Sequence, residues 1–485
     1  MKKLFSLLLI LIISTSVLLG GCFSNGSEEP IYVVSITSTG TNANNENVFM
    51  VSYSDGTYNY FTVQNGKDGE DGQDITIDAI YQKYCDEVEN VSYEDFLTIY
   101  FGTTEINIPE IDASKTIAKA VSSTMSIYTT SYISSGFSYK TSLNGGTAII
   151  CKIDADYVYA ITNYHVVYRT ENVEALNNGK IAKYLHCYLY GSEDTPAKTG
   201  QTDANGCEVL QYGDYAIEFE YVGGSVTHDL ALIRANKEDV LDINPNVSAV
   251  TFAKDYNVGQ TAIAIGNMEG MGLSVTQGII SVYNEQVPFN LDGTSRYYNC
   301  LRFDGAIFHG NSGGGLFNVQ GELIGITNGG HSNGKNSSGE DIGTSINYAL
   351  PCYNVQGVID NIYYHANDGD PSTNGVKVPR LGVTVQAFNT KYVYDEELGY
   401  GRITDDVKVT EVSAGAPAAS IFEVGDKVLS ISINGTEYKL NRYNDIGVAL
   451  LRARVGDVLT FKFIRNGTEM QNSLTVTVLN LNSID

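Results

Sequence analysis

Three separated stretches carry residues that could together move a proton and attack a carbonyl. They are Thr162-Asn163-Tyr164-His165-Val166-Val167, Thr227-His228-Asp229-Leu230-Ala231-Leu232 and Gly310-Asn311-Ser312-Gly313-Gly314. A serine hydroxyl is a weak nucleophile at neutral pH, so Ser312 needs a base beside it and a third group to orient that base. His165 and Asp229 are of the right types for those roles. Acyl transfer also creates an oxyanion, which backbone N–H groups can stabilise. Glycines at Gly310, Gly313 and Gly314 let the main chain approach a substrate carbonyl closely.

Each residue alone also has a plain structural reading. His165 lies just past the end of a strand, and Asp229 stands ahead of the apolar run Leu230-Ala231-Leu232-Ile233. The serine loop also fits Gly-x-Ser-x-Gly, which in α/β-hydrolases turns a nucleophile from a strand into a helix. Here Gly313, Gly314 and Gly315 follow the serine, and each glycine disfavours a helix by about 1 kcal/mol relative to alanine. The order His165, Asp229, Ser312 also differs from the Ser, Asp, His order of those enzymes. After the loop, Phe317-Asn318-Val319, a turn at Gln320-Gly321, and Glu322-Leu323-Ile324-Gly325-Ile326 read as a hairpin.

The elements that must position these residues are therefore strands. From Val121 onward, apolar segments of four to eight residues alternate with Gly, Asn and Asp clusters, the pattern of a sandwich or barrel. Thr147-Ala148-Ile149-Ile150 and Tyr157-Val158-Tyr159-Ala160-Ile161 are two such strands. The chain of 485 residues, with 49 glycines and 34 tyrosines, is expected to be mainly β and to hold two or three domains. Its formal charge of −26 repels phosphates and anionic headgroups and argues against nucleic acid as a partner.

Taken together, the motifs resemble the chymotrypsin-like serine proteases of the HtrA (DegP-like) family. The similarity rests on Gly145-Gly146-Thr147-Ala148-Ile149-Ile150, the three stretches above, and Val258-Gly259-Gln260 through Ile265-Gly266-Asn267, all in the family's order. It covers most of residues 118–351, apart from the poorly matching segment 171–224. Gly315 stands where the family usually has proline. The resemblance implies a double β-barrel with His165, Asp229 and Ser312 as a catalytic triad at the barrel junction. It implies an oxyanion hole from the N–H groups of Gly310 and Ser312. By position, Ala306, Ile307, Phe308, Ile326, Thr327 and Asn328 would line the specificity pocket. No acidic residue stands at its base, so a small or medium apolar side chain before the scissile bond is expected. No cofactor is implied, and His228, His309 and His331 lack metal-ligand spacing.

Arg380-Leu381-Gly382-Val383, Ala414-Gly415-Ala416-Pro417-Ala418, Val424-Gly425-Asp426-Lys427-Val428 and Arg454-Val455-Gly456-Asp457 resemble a PDZ domain of the same family. Such a domain adds a peptide as an extra strand and holds its carboxylate with backbone donors, here those of Leu381, Gly382 and Val383.

At the other end, Lys2 and Lys3 precede a short apolar run, as in an export signal. Leu19-Gly20-Gly21-Cys22 resembles a bacterial lipobox, implying a lipid on Cys22, and two acyl chains there would hold the protein on a membrane. Residues 1–21 are then signal peptide, 22–64 a small β module and 65–75 a glycine-rich linker. A short helical segment at 76–110 precedes the protease domain at 115–365, a linker at 366–377 and the PDZ domain at 378–482. The expected protein is an extracytoplasmic, lipid-anchored endopeptidase acting on unfolded or damaged proteins, with a homotrimer suggested by the family. The alternative is a silent peptide-binding or chaperone protein on the same scaffold. Cys85, Cys151, Cys187, Cys207, Cys300 and Cys352 are too dispersed for a disulfide framework. Buried thiols are expected, and Cys187 with Cys207 is the pair best placed for a bridge.

Overall fold

In a computed structural model, the described residues are 33–41, 46–53, 58–64, 114–291, 294–330, 346–366, 375–395, 400–478 and 481–483. The export segment with Cys22, the hairpin turn at 54–57, the glycine-rich linker and the helical segment at 76–110 lie outside them. So do Cys85, His331 and the linker residues 367–374. The chain divides into two units, Met1–Asp112 and Ala113–Asp485.

In the first unit, β1 (Val33–Thr41), β2 (Glu46–Tyr53) and β3 (Tyr58–Gln64) form an antiparallel meander. Val51 is buried, whereas Tyr58 and Tyr60 are exposed with their rings edge to face.

The second unit opens with α1 (Ser114–Ser122), β4 (Thr124–Ser135), β5 (Ser138–Ile153), β6 (Tyr157–Thr162) and a single helical turn, α2 (Tyr164–Val167). β7 (Tyr184–Leu189), a hairpin of β8 (Ala197–Thr202) and β9 (Glu208–Gln211), β10 (Ile217–Ser225), β11 (Leu230–Asn236) and α3 (Lys237–Ile243) follow. In the order β10-β11-β6-β5-β4-β7, six of these strands close a barrel. A second closed barrel runs β12-β13-β14-β17-β16-β15, from β12 (Thr261–Asn267), β13 (Leu273–Leu291), β14 (Thr294–Phe303), β15 (Gly315–Phe317), β16 (Leu323–Gly330) and β17 (Asn347–Pro351). Helix α4 (Cys352–Ala366) continues directly from it. The segment 171–224, poorly matched in sequence, supplies β7 and β10, without which the first barrel could not close.

The continuous apolar runs are explained by burial on both faces of the same strand. Ala231 and Ile233 of β11 join Met125, Ile127 and Ile150 in a core made of first-barrel residues. Leu230 and Leu232 face the other way, into a core shared with Ile263, Ile265, Phe317 and Ile326 of the second barrel and Val355, Val358 and Ile362 of α4. Each such aliphatic side chain contributes about 1.5–3 kcal/mol when fully buried.

After the barrels come β18 (Lys377–Pro379), β19 (Val383–Asp395), β20 (Tyr400–Val412), β21 (Lys427–Ile433), β22 (Thr436–Lys439), α5 (Asp445–Leu450), β23 (Val458–Arg465), β24 (Thr468–Thr475) and β25 (Leu481–Ser483). The main sheet runs β19-β20-β21-β23-β24, leaving β19 as an edge, and β18 pairs with β25. This module has its own core, including Val407, Val409, Ile431, Phe461 and Phe463. Asn361 of α4 fixes it to the barrels: its amide donates to the carbonyls of Lys377 (2.8 Å) and Leu451 (2.7 Å), and its oxygen accepts from Lys377 N–H (2.9 Å). Arg402 on β20 pairs with Asp255, which also accepts from the Tyr283 hydroxyl.

Cys151, Cys187, Cys207, Cys300 and Cys352 are all free thiols, so the Cys187–Cys207 bridge is not formed. Cys187 is enclosed in the first-barrel core. Cys207 is held at the end of the β8–β9 turn, where its N–H donates to the Asp203 carboxylate at 2.9 Å.

Candidate active site

His165 owes its place to the end of β6. The chain turns once there, with Val166 N–H donating to Asn163 O (3.2 Å) and Tyr168 N–H to Tyr164 O (3.0 Å). β11 pairs alongside with Ala231 opposite Thr162, so the turn ahead of β11 carries Asp229 to the same barrel end. Asp229 is buried, with 3% of its surface exposed, and has φ 51°. Aspartate is one of the few residues that enters this left-handed region readily, at a cost on the order of 1 kcal/mol.

Four hydrogen bonds hold it there. His165 N–H donates to Oδ1 (2.9 Å), His165 Nδ1 lies 2.7 Å from Oδ2, the Asn328 amide donates to Oδ2 (2.7 Å), and the Asn163 amide donates to the main-chain carbonyl (2.9 Å). A carboxylate can only accept, so the proton in the imidazole contact belongs on Nδ1. Nε2 is then left with a lone pair for a substrate or nucleophile proton. Cys300 lies close enough for Asp229 to act on it: burial first, then the Asp229 charge, push its thiol far above the ordinary cysteine range. That sulfur is therefore not a competing nucleophile.

Ser312 comes from the loop between β14 and β15. Its hydroxyl donates to Asn328 O at 3.1 Å, which places it beside the residue that also grips Asp229. Two bonds from the first barrel brace the loop: Thr147 N–H donates to Ser312 O (2.9 Å) and Thr147 Oγ1 to Gly310 O (2.7 Å). Gly310 has φ 93°, and a Cβ there would meet Asn267 O at 2.0 Å. Gly313 has φ 84°, and its Cβ would meet Thr147 O at 2.2 Å. Only glycine fits either position.

The His309–Gly310 peptide is oriented by Glu269, whose N–H donates to His309 O at 2.6 Å. With that carbonyl held, the Gly310 N–H points in the opposite direction within the peptide plane. Among the described residues neither Gly310 N–H nor Ser312 N–H has a hydrogen-bond partner, as donors reserved for a substrate oxygen would be.

The candidate pocket residues separate into two groups. Ala306 and Phe308 are exposed and Ile307 is half-buried, in front of the loop. The other three have different work. Ile326 is wholly buried in the shared core, and Thr327 Oγ1 donates to Asn311 O at 2.5 Å. The Asn328 side chain is taken up by Asp229. On this side the three side chains are thus engaged elsewhere, which leaves the main chain to face any substrate.

Sequence reasoning missed the roles of Asn328, Thr147 and Glu269. Asn328 and Thr147 had been named, but nothing in their types marks these partners. Glu269 acts through its backbone at φ 54°, which a glutamate does not advertise. Gly315, the departure from proline, begins β15, where a Cβ would lie 2.2 Å from the Phe317 ring. In the C-terminal module, Leu381 is buried and its carbonyl accepts from Ala418 N–H (3.1 Å). Gly382 has φ 72° and accepts from Ser413 N–H (2.8 Å), and Val383 begins the edge strand β19.

Residues 146–326 match the trypsin-like peptidase domain family, a span that contains His165, Asp229 and Ser312. The chain is similar to the serine protease Do-like HtrB of Bacillus subtilis (strain 168), 28% identical over 336 residues, covering 68% of this chain and 62% of that protein. It is similar also to the serine protease Do-like HtrA of Lactococcus lactis subsp. cremoris (strain MG1363), 25% identical over 416 residues, covering 80% and 88%. Thus the chain spans less than two thirds of the length of the first of these relatives. Among solved structures, it is similar to HtrA-type protease AlgW with tripeptide, 24% identical with a TM-score of 0.45, covering 77% of this chain and 98% of that one.

Proposed function

We propose that the chain is a serine endopeptidase of HtrA type, cleaving unfolded or damaged proteins outside the cytoplasm. The observation that carries this reading is the 2.7 Å contact of His165 Nδ1 with a buried, triply bonded Asp229 carboxylate, on the barrel end where Ser312 lies beside Asn328.

In the reaction, rotation of the Ser312 side chain moves its hydroxyl from Asn328 O to His165 Nε2. His165 accepts the proton as Oγ attacks the peptide carbonyl, then donates it to the leaving amine. Asp229 holds the ring and offsets the charge of the imidazolium. Gly310 and Ser312 N–H groups receive the oxyanion. Water repeats the sequence on the acyl-enzyme.

The C-terminal module fits a PDZ domain, with the free edge of β19 and the Leu381-Gly382-Val383 turn receiving a peptide or chain end. The Lys2-Lys3 start and the Leu19-Gly20-Gly21-Cys22 segment fit export and a lipid tether at Cys22. A homotrimer is the assembly the family suggests.

The engagement of Ser312 with Asn328 O favours a second reading, a catalytically silent peptide-binding or chaperone protein. One experiment separates them. Protein from Cys22 onward, made without lipid, is incubated with unfolded casein beside Ser312→Ala, with and without added C-terminal peptides. Cleavage is expected only with Ser312 present. No cleavage under any condition would leave the silent scaffold, and cleavage by Ser312→Ala would identify a different nucleophile.

A further inference from the structure

We infer that Asn347 sets the depth of the pocket for the residue on the acyl side of the scissile bond and restricts it to small side chains. This rests on the endopeptidase reading. Two main-chain segments reach Ser312 from opposite sides. One runs through Gly305, Ala306 and Ile307 into the serine loop. The other begins at Asn328, whose carbonyl accepts the Ser312 hydroxyl, and continues through Gly329 and Gly330. A side chain next to the scissile carbonyl has to enter between these walls.

Asn347, the first residue of β17, occupies that gap. It pairs with Gly330 of β16 on one side and Phe303 of β14 on the other. Its amide Nδ2 donates to Gly305 O at 2.7 Å. Its Oδ1 lies 2.6 Å from the point a Cβ on Gly330 would occupy. With 6% of its surface exposed, the carboxamide bridges from one wall to the other.

The walls are pinned. Thr276 Oγ1 donates to Ala306 O (2.6 Å), Ile279 N–H donates to the Asp304 carboxylate (2.6 Å), and Asp304 N–H returns to Ile279 O (3.3 Å). On the other side, a Cβ at Gly329 would already lie 3.1 Å from the Phe289 ring. A long substrate side chain would therefore have to displace the amide and strand the Gly305 carbonyl without a donor. The expected preference is therefore for alanine, serine and valine over leucine, methionine and phenylalanine. Asn347 contacts no reacting atom, so it is a specificity residue.

The test compares kcat/KM on peptides identical except for Ala, Val, Leu or Phe before the scissile bond. Wild type should prefer Ala and Val. Asn347→Gly should raise the Leu-to-Ala ratio at least about tenfold, the scale on which hydrophobic pockets separate side chains. Asn347→Gln should lower it. A small fluorophosphonate that labels Ser312 reports an intact site in each variant, and Asn347→Ala replaces the glycine variant should that one not fold. An unchanged ratio in a variant that labels normally overturns the role of Asn347 alone. Absence of Ser312-dependent cleavage and labelling in wild type would overturn the endopeptidase reading, and this inference with it.

Discussion

Asn328 and His165 meet the same carboxylate oxygen: the Asn328 amide and His165 Nδ1 each lie 2.7 Å from Asp229 Oδ2. The Asn328 carbonyl in turn holds the Ser312 hydroxyl. One residue of β16 thus sets the relation between the Asp229 carboxylate and the Ser312 hydroxyl, across two barrels.

Asn328→Ala should lower kcat on a peptide substrate roughly 10–100-fold with KM little changed, because the carbonyl stays but the carboxylate loses a donor. Leaving that buried oxygen short of a partner should also cost about 1–3 kcal/mol of stability in urea denaturation. A kcat within twofold of wild type would show that Asp229 is sufficiently held without Asn328, by His165 and Asn163.

Glu269→Pro removes the N–H that holds His309 O and cannot adopt φ 54°. The His309–Gly310 peptide is then free to turn, and kcat should fall about 10²–10³-fold, as for loss of one oxyanion donor. Glu269→Gly keeps the N–H and suits the conformation, so it should stay near wild-type activity. Affinity for a peptide boronate, which occupies the oxyanion position, should track the same order. Equal loss in both variants would assign the effect to the glutamate side chain.

Gly315→Ala places a methyl 2.2 Å from the ring of Phe317 and 2.7 Å from Ile149 Cδ1, and Phe317 is fully buried and cannot swing aside. Overpacking of this kind costs typically about 1–3 kcal/mol, which should appear as a lower Tm by calorimetry. An unchanged Tm would mean that β15 shifts freely against β12.

His186 on β7 is 8% exposed and stacked on Tyr212 at 3.6 Å. Burial lowers its pKa to about 4. The unfolded chain takes up the proton near pH 6.5, so between about pH 6.5 and 4 it binds more protons than the native state. This site therefore contributes full stability above pH 6.5 and loses it on acidification, roughly 3 kcal/mol in all by pH 4. Urea denaturation of wild type against His186→Phe should show wild type losing more stability across that window. Parallel pH profiles would refute the assignment.

How much of this could be read in advance follows from which interactions are local. The strand runs at 147–150, 157–161 and 230–233 were legible because apolar content and turn residues are properties of consecutive residues. The order and types of His165, Asp229 and Ser312 were legible for a related reason, since few residues can supply a base, an orienting carboxylate and a nucleophile.

Which partner each side chain takes was not legible. Position after the serine loop marked Ile326-Thr327-Asn328 as pocket lining but not where their side chains go. Closure of the second barrel puts the Ile326 side chain in the shared core and turns the Asn328 amide onto Asp229. The thiols are free, as expected, and even Cys187 and Cys207, the pair best placed for a bridge, stay apart, one enclosed by the first barrel and the other held in a hairpin. Glu269 and Asn347 had no sequence signal, because one acts by its backbone and the other by lying between Gly305 and Gly330. Sequence determined the chemical groups and the strands that carry them. Tertiary structure alone decided their pairing, because the distances that matter join residues far apart in the chain, and barrel closure fixes all of them together.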